Sequence, residues 1–266
     1  MTIPEYHSTW LTGYRLERPT VVCLHGFMGS GGDFAGLPWD ERHNYLAVDL
    51  VGHGQSPVYV HPDQYRFPQV IAALKQELAR KQIARYAVLG YSMGGRVAIG
   101  WALADPRVTG LIVESGRPGM ATATERQARR THDQQLAARL LQGDLADFVA
   151  AWEKLPLFAS QRRLPAPTQA RVRQGRLAND RYGLATSLLM MGTGQQPNYW
   201  PQLTRLPPTL LVVGEGDAKF TRLAQQMHAR VPRLQLRRLP AGHNCHLEQP
   251  AAFCAAVATW LAAQRL

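Results

Sequence analysis

The chain has 266 residues, 45% of them hydrophobic, which is enough for one sizeable core and too apolar for a disordered polymer. Its formal net charge is +11, yet no nucleic-acid-binding motif is present and aromatics do not interleave with the basic residues, so no nucleic-acid partner is expected. No run of about 18 apolar residues occurs and the opening Met-Thr-Ile-Pro-Glu has no secretory apolar stretch, so neither a membrane span nor export is expected.

Val21-Val22-Cys23-Leu24 is a short apolar run ending in His25-Gly26, and it predicts a buried strand. Tyr45 to Leu50 predicts a second, ending in Gly52-His53-Gly54. From Gln64 to Ile83, Phe67, Val70, Ile71, Leu74 and Leu78 recur at helical spacing. Tyr86 to Leu89 is a third predicted strand, followed by helical character from Val97. Val108 to Val113, Leu210 to Val213 and Leu234 to Leu239 are further strands. Helices are expected over Lys219 to Arg230 and Ala251 to Ala263. Strands alternating with helices predict an α/β fold, a mostly parallel sheet with helices on both faces. Residues 119–204 break the alternation. They predict helices and Pro-rich turns without a strand, hence a helical cap inserted into a core of residues 1–118 and 205–266. Such a cap lies over the C-terminal strand edge, where these sheets bind ligands.

Gly90-Tyr91-Ser92-Met93-Gly94 follows a predicted strand and opens a predicted helix, the context of a nucleophile elbow in the α/β-hydrolase fold. Small residues flank Ser92 because the turn is sharp and the backbone crowded. Asp217 follows a strand in Gly214-Glu215-Gly216-Asp217, and His243 follows the last strand in Gly242-His243-Asn244. The order Ser, Asp, His is that of α/β-hydrolases. His243 is expected to accept the Ser92 proton, with Asp217 holding the imidazole tautomer. The amides of Phe27, at the end of an early strand, and Met93 are candidates for an oxyanion hole. His25 is expected to be structural, and Asp49 and His53 to shape a turn. His246 and Glu248 fit no common metal-ligand set, and no metal or cofactor is expected. Cys23, Cys245 and Cys254 are too few for a disulfide framework, so a reducing, cytoplasmic home is the simplest expectation.

The charge excess is concentrated in the centre: residues 117–205 hold 12 Arg and 1 Lys against 6 Asp/Glu, a net +7. Arginine bias on solvated faces accounts for part. The other reading is that several guanidiniums grip anionic groups of a small ligand.

The stretch Gly90-Tyr-Ser-Met-Gly-Gly-Arg96 goes beyond an elbow. With Tyr91 before the nucleophile and Arg96 four residues after it, the chain resembles the 2-succinyl-6-hydroxy-2,4-cyclohexadiene-1-carboxylate synthases of menaquinone and phylloquinone biosynthesis. The similarity covers nearly the whole chain. Glu114-Ser-Gly-Arg-Pro-Gly119 resembles the family's approach to the cap, and Glu125-Arg126 to Arg129-Arg130 its first cap helix. Trp152 with Pro156-Leu-Phe-Ala-Ser160 and Gly192-Thr-Gly-Gln-Gln-Pro197 follow. Asp217-Ala-Lys-Phe220 and His243-Asn-Cys-His246 are more specific than the triad. One departure is Glu153 after Trp152, where members often have Tyr.

The resemblance implies elimination of pyruvate from a tricarboxylate, with Ser92 as general base. It implies binding of the carboxylates by Arg96, Arg129 and Arg176, with Tyr91, Trp152, Lys219 and Phe220 also at the site. A monomer is the default expectation. Two other readings stay open on the residues: a serine hydrolase acting on an anionic ester, thioester or carbon–carbon bond, and a non-catalytic ligand-binding protein. Haloalkane dehalogenation is excluded, since it needs a carboxylate nucleophile at position 92.

Overall fold

The computed structural model describes residues 3–265. Its seven strands are β1 (Ser8–Trp10), β2 (Thr20–Leu24), β3 (Asn44–Val48), β4 (Tyr86–Tyr91), β5 (Val108–Glu114), β6 (Thr209–Gly214) and β7 (Gln235–Leu239). They form one sheet in the order β1-β3-β2-β4-β5-β6-β7. Only β1 runs antiparallel, paired with β3; every other pairing is parallel. Every residue of β2, β3, β4 and β6 is buried. That is why these strands appear in the sequence as unbroken apolar runs, since helices cover both faces of a parallel sheet. β1 escaped notice for the opposite reason: three residues at a sheet edge carry no periodicity. β3 stops at Val48, short of the expected Leu50, where the chain enters the turn at Gly52 (φ 77°) and Gly54 (φ 53°).

The stretch expected to be one helix from Gln64 is divided by prolines. A 3-10 turn spans Pro62–Tyr65, and α1 (Phe67–Arg80) begins beside Pro68. The expected apolar face of α1 is the one it buries. α2 (Met93–Ala104) starts four residues before the predicted Val97. Its first turn holds Gly94 and Gly95, poor helix formers that hide the start in the sequence. Gly94 is required there, because a Cβ would collide with the Leu24 carbonyl. One face of the sheet packs on α1, α2 and α7 (Ala218–Arg230); the other packs on α8 (Pro250–Gln264) through Phe253, Val257, Trp260 and Leu261.

Between β5 and β6 the chain forms α3 (Ala123–Gln142), α4 (Leu145–Glu153), α5 (Ala166–Leu177) and α6 (Arg181–Met191), with no strand. Leu136, Leu140, Phe148, Val149, Leu184 and Leu188 give these helices a cluster of their own, joined to the sheet side by Met28. A capping box starts α3: Thr122 Oγ1 accepts from Glu125 N, and Glu125 accepts from Thr122 N. The return segment belongs to the main core, where Tyr199, Leu203 and Leu206 are buried. No described helix is long and apolar enough to cross a membrane.

Asp105, at the C-terminus of α2, ties this helix to the start of β4. It accepts from Tyr86 Oη (2.8 Å), Trp101 Nε1 (3.4 Å), Arg107 N (3.1 Å) and the Arg107 guanidinium (2.7 Å). Burial pushes its carboxyl up, but the Arg107 and Tyr86 bonds outweigh burial and hold it below its ordinary value of 3.8. A depressed folded value means stabilisation that is complete above that ordinary value and fades as pH falls below it. Asp105→Asn is expected to destabilise the fold by about 3 kcal/mol at pH 7, with a smaller deficit at pH 3. Urea denaturation at both pH values checks this; equal deficits would contradict it.

Candidate active site

β4 ends at Tyr91 and α2 begins at Met93, leaving Ser92 alone to make the turn. Its backbone sits at φ 51° and ψ −102°, a conformation that residues with a Cβ avoid at a cost of about 1–3 kcal/mol. Two bonds hold it: Ser92 N donates to Glu114 O (2.8 Å) and Gly94 N to His25 O (3.0 Å). A side chain at Gly90 would strike the Gly94 carbonyl, so both glycines of the elbow are needed for close approach. The outcome is a hydroxyl at the positive end of α2.

Asp217 caps α7, its Oδ1 accepting from Phe220 N (3.1 Å). His243 Nδ1 donates to Asp217 Oδ2 (2.7 Å), which leaves Nε2 as the acceptor facing Ser92 Oγ at 3.0 Å. His243 is 1% exposed. The rings of Phe220 (4.7 Å) and Tyr91 (5.4 Å) flank its imidazole. The three residues therefore have the geometry of a base-activated serine.

Ser92 opens into a cavity of about 630 Å³. Of the twelve residues singled out in the sequence, eleven line it; Asp217 lies behind His243. Trp152 stands edge-on to Phe27 (5.3 Å) and stacks on Phe148 (5.9 Å). Arg96 is buried, donates to the Met191 carbonyl (2.8 Å) at the end of α6 and lies over the Phe67 ring. Arg129 donates to Asp133 Oδ1 (2.8 Å). Arg176 donates to Glu153 Oε1 (3.0 Å) and Gln161 Oε1 (2.9 Å), with its guanidinium over Phe158. Glu153 thus anchors a cavity arginine. The lining also holds Arg117 and Arg171, which makes six Arg/Lys against a single carboxylate, Asp33.

His25 is buried between sheet and turn, donating to Gly26 O (2.7 Å) and accepting from Leu50 N (3.0 Å). Burial pulls its imidazole down to about 4, so it works uncharged. Asp49 accepts from Gly31 N and Gln55 N and so shapes the turn. Glu248 binds Ser160 Oγ (2.9 Å) and Gly242 N (2.6 Å).

Sequence reasoning left Glu114 and His246 without a role. The carboxylate of Glu114 accepts from His246 N (3.0 Å) and His246 Nδ1 (2.7 Å), with both residues buried, while its carbonyl accepts from Ser92 N. One residue at the end of β5 therefore holds both the serine turn and the loop bearing His243. The available signal was a charged residue closing an otherwise uncharged, mostly apolar strand, since a buried charge needs a partner.

The fold and the triad define the chain as an α/β hydrolase, and the family model described as "Alpha/beta hydrolase family" matches residues 21–256. Within that class the chain belongs to the 2-succinyl-6-hydroxy-2,4-cyclohexadiene-1-carboxylate synthase family. It is 39% identical over 247 residues to the putative synthase of Bacillus subtilis strain 168, covering 91% of this chain and 89% of that one. It is 35% identical to the synthase of Pectobacterium atrosepticum, covering 92% and 94%. The solved structure of MenH from S. aureus superposes with a TM-score of 0.90 at 32% identity, covering 98% and 99%. The enol-lactonase of Burkholderia xenovorans (TM-score 0.82, 19% identity, 97% and 96% covered) shares the fold alone.

Glu114→Gln puts an amide group where two N–H donors converge. The variant is expected to slow fluorophosphonate labelling of Ser92 by about tenfold or more while still melting cooperatively. Labelling within about twofold of the wild-type rate would count against the tie.

Proposed function

We propose that this enzyme eliminates pyruvate from 2-succinyl-5-enolpyruvyl-6-hydroxy-3-cyclohexene-1-carboxylate, a carbon–oxygen lyase step in menaquinone biosynthesis. The observation that carries the reading is a serine–histidine–aspartate relay opening into an arginine-rich cavity. Ser92 gives its proton to His243 Nε2 as it takes the ring proton α to the succinyl ketone, and Asp217 stabilises the imidazolium. Charge then develops on the ketone oxygen, where the Phe27 and Met93 amides meet it; such a donor is worth about 3–4 kcal/mol. As the ketone re-forms, the electron pair moves through the ring alkene and breaks the bond to the enolpyruvyl oxygen. The departing enolpyruvate takes up a proton on carbon to become pyruvate. No water is consumed and no acyl-enzyme forms.

Arg96, Arg129 and Arg176 take the substrate carboxylates, with Tyr91, Trp152, Lys219 and Phe220 completing the site. Residues 119–204 act as the cap on a core of residues 1–118 and 205–266. Base, anion-stabilising amides and cations all come from one chain, so a monomer suffices, and elimination as written draws on no metal or cofactor. Low cysteine content and the absence of a long apolar run support a cytoplasmic site of action.

A coupled pyruvate-release assay with the enolpyruvyl substrate tests the proposal. Wild-type protein is expected to release pyruvate, and Ser92→Ala to lower kcat by about 10²–10⁴-fold. Fast cleavage of short acyl esters with no pyruvate released would replace the lyase reading with a hydrolase.

A further inference from the structure

Four of the cations lining the cavity lie close enough to act on one another. Arg117 follows β5, Arg96 stands in α2, Arg129 in α3 and Lys219 in the first turn of α7. Arg129 has a carboxylate partner in Asp133, and Arg96 has the Met191 carbonyl. Arg117 is served far worse. Its guanidinium reaches the Gly119 carbonyl by two contacts of 3.4 Å, at the long limit of a hydrogen bond. The Lys219 ammonium touches the Phe220 ring face, 5.6 Å from its centroid. Among the described residues neither forms an ion pair.

The four charges also repel one another. Burial draws the Arg117 guanidinium down, Glu125 draws it up and Arg129 draws it down again. Partial burial, Arg117 and Arg129 all draw the Lys219 ammonium down, with Asp217 opposing. Like charges around one cavity, with Arg96 buried and Arg117 half-buried, lower stability unless an anion enters. Arg176 stands apart from this group, with Glu153, Gln161 and Phe158 around it.

We propose that Arg117 and Lys219 together form a carboxylate seat for the substrate, with Arg117 as a specificity-determining residue that the sequence pattern does not reveal. The proposal rests on the polycarboxylate reading above and adds a named contact to it. Arg117 supplies the planar fork that matches a carboxylate, and Lys219 supplies a point charge beside it. The backbone carbonyl of Arg117 accepts from Gln196 Nε2 (2.9 Å), so the loop keeps this anchor when the side chain changes.

The test is steady-state pyruvate release by Arg117→Gln and Arg117→Lys beside the wild type, with melting temperature measured for each. Arg117→Gln is expected to raise KM about tenfold or more and to lower kcat by less than about threefold, because a carboxylate seat that takes no part in the proton transfer binds ground and transition state alike. Arg117→Lys keeps the charge without the fork and falls between the two. A KM within about twofold of wild type overturns the seat. If Arg117→Gln does not melt cooperatively, Lys219→Gln, at the exposed start of α7, carries the same test. If the wild type releases no pyruvate, the reaction reading falls, and the seat is judged by citrate protection of Ser92 against fluorophosphonate. Protection about fivefold or more weaker in the variant than in the wild type upholds it, and equal or absent protection overturns it.

Discussion

A serine between a buried strand and a helix can face a cavity only by turning through a backbone conformation that a side chain resists. Ser92 does so at φ 51°. The energy stored there is offset by neighbours that allow nothing else: the Glu114 carbonyl, the His25 carbonyl, and glycines at 90 and 94 with no room for a Cβ. The same device recurs where the other two triad residues meet. A Cβ on Gly214 would strike the Gly242 carbonyl, so only glycine brings the end of β6 against the loop carrying His243. Two tight seams, one on each side of Ser92 and His243, set the 3.0 Å contact between them. Without either seam the triad residues remain in the chain but do not meet.

Electrostatics add a second constraint. Arginines of the inserted helices that have counterions, Arg129 on Asp133 and Arg176 on Glu153, are held in place by them. Each then has only part of its fork left for a ligand, because part is already engaged. Arg117, with only two long contacts to the Gly119 carbonyl, and Lys219 keep more of their donor capacity, at the expense of mutual repulsion. The cavity therefore mixes pre-positioned cations, which favour geometry, with under-partnered ones, which favour affinity. A strongly positive, partly closed cavity also draws polyanions in from a distance.

Much of the fold was legible because a buried parallel strand has no polar face to hide it, and because serine, aspartate and histidine each sit at a strand end. The site was legible to the extent that its residues lie inside short local patterns, such as the elbow or Asp217-Ala-Lys-Phe220. What escaped was pairwise and distant. Glu114 and His246 are 132 positions apart and meet only when β5 and the last loop are in place. Arg117 sits in the same short segment as Glu114, yet its lack of a counterion is a property of space, not of spacing. β1 and the early start of α2 escaped for a local reason: three edge residues and two helix-opening glycines carry no hydrophobic period.

The triad itself does not choose between reactions. A serine flanked by a histidine and amide donors will attack a carbonyl carbon if one is presented, or take a proton if a carbon acid is presented instead. The choice falls to whatever fixes the substrate over Ser92 Oγ. On the proposed reaction that is the inserted segment with the loop after β5, since the cavity-lining Arg129, Trp152 and Arg176 come from the insert and Arg117 from the loop. Several cations holding carboxylates at separate points leave a ring little rotational freedom. A ring C–H held over the serine oxygen, with the adjacent ketone directed at the amides, makes proton removal the nearest available step. On the proposed reaction, charge placement in the insert, added to an unchanged relay, turns an acyl-transfer apparatus into an eliminating one.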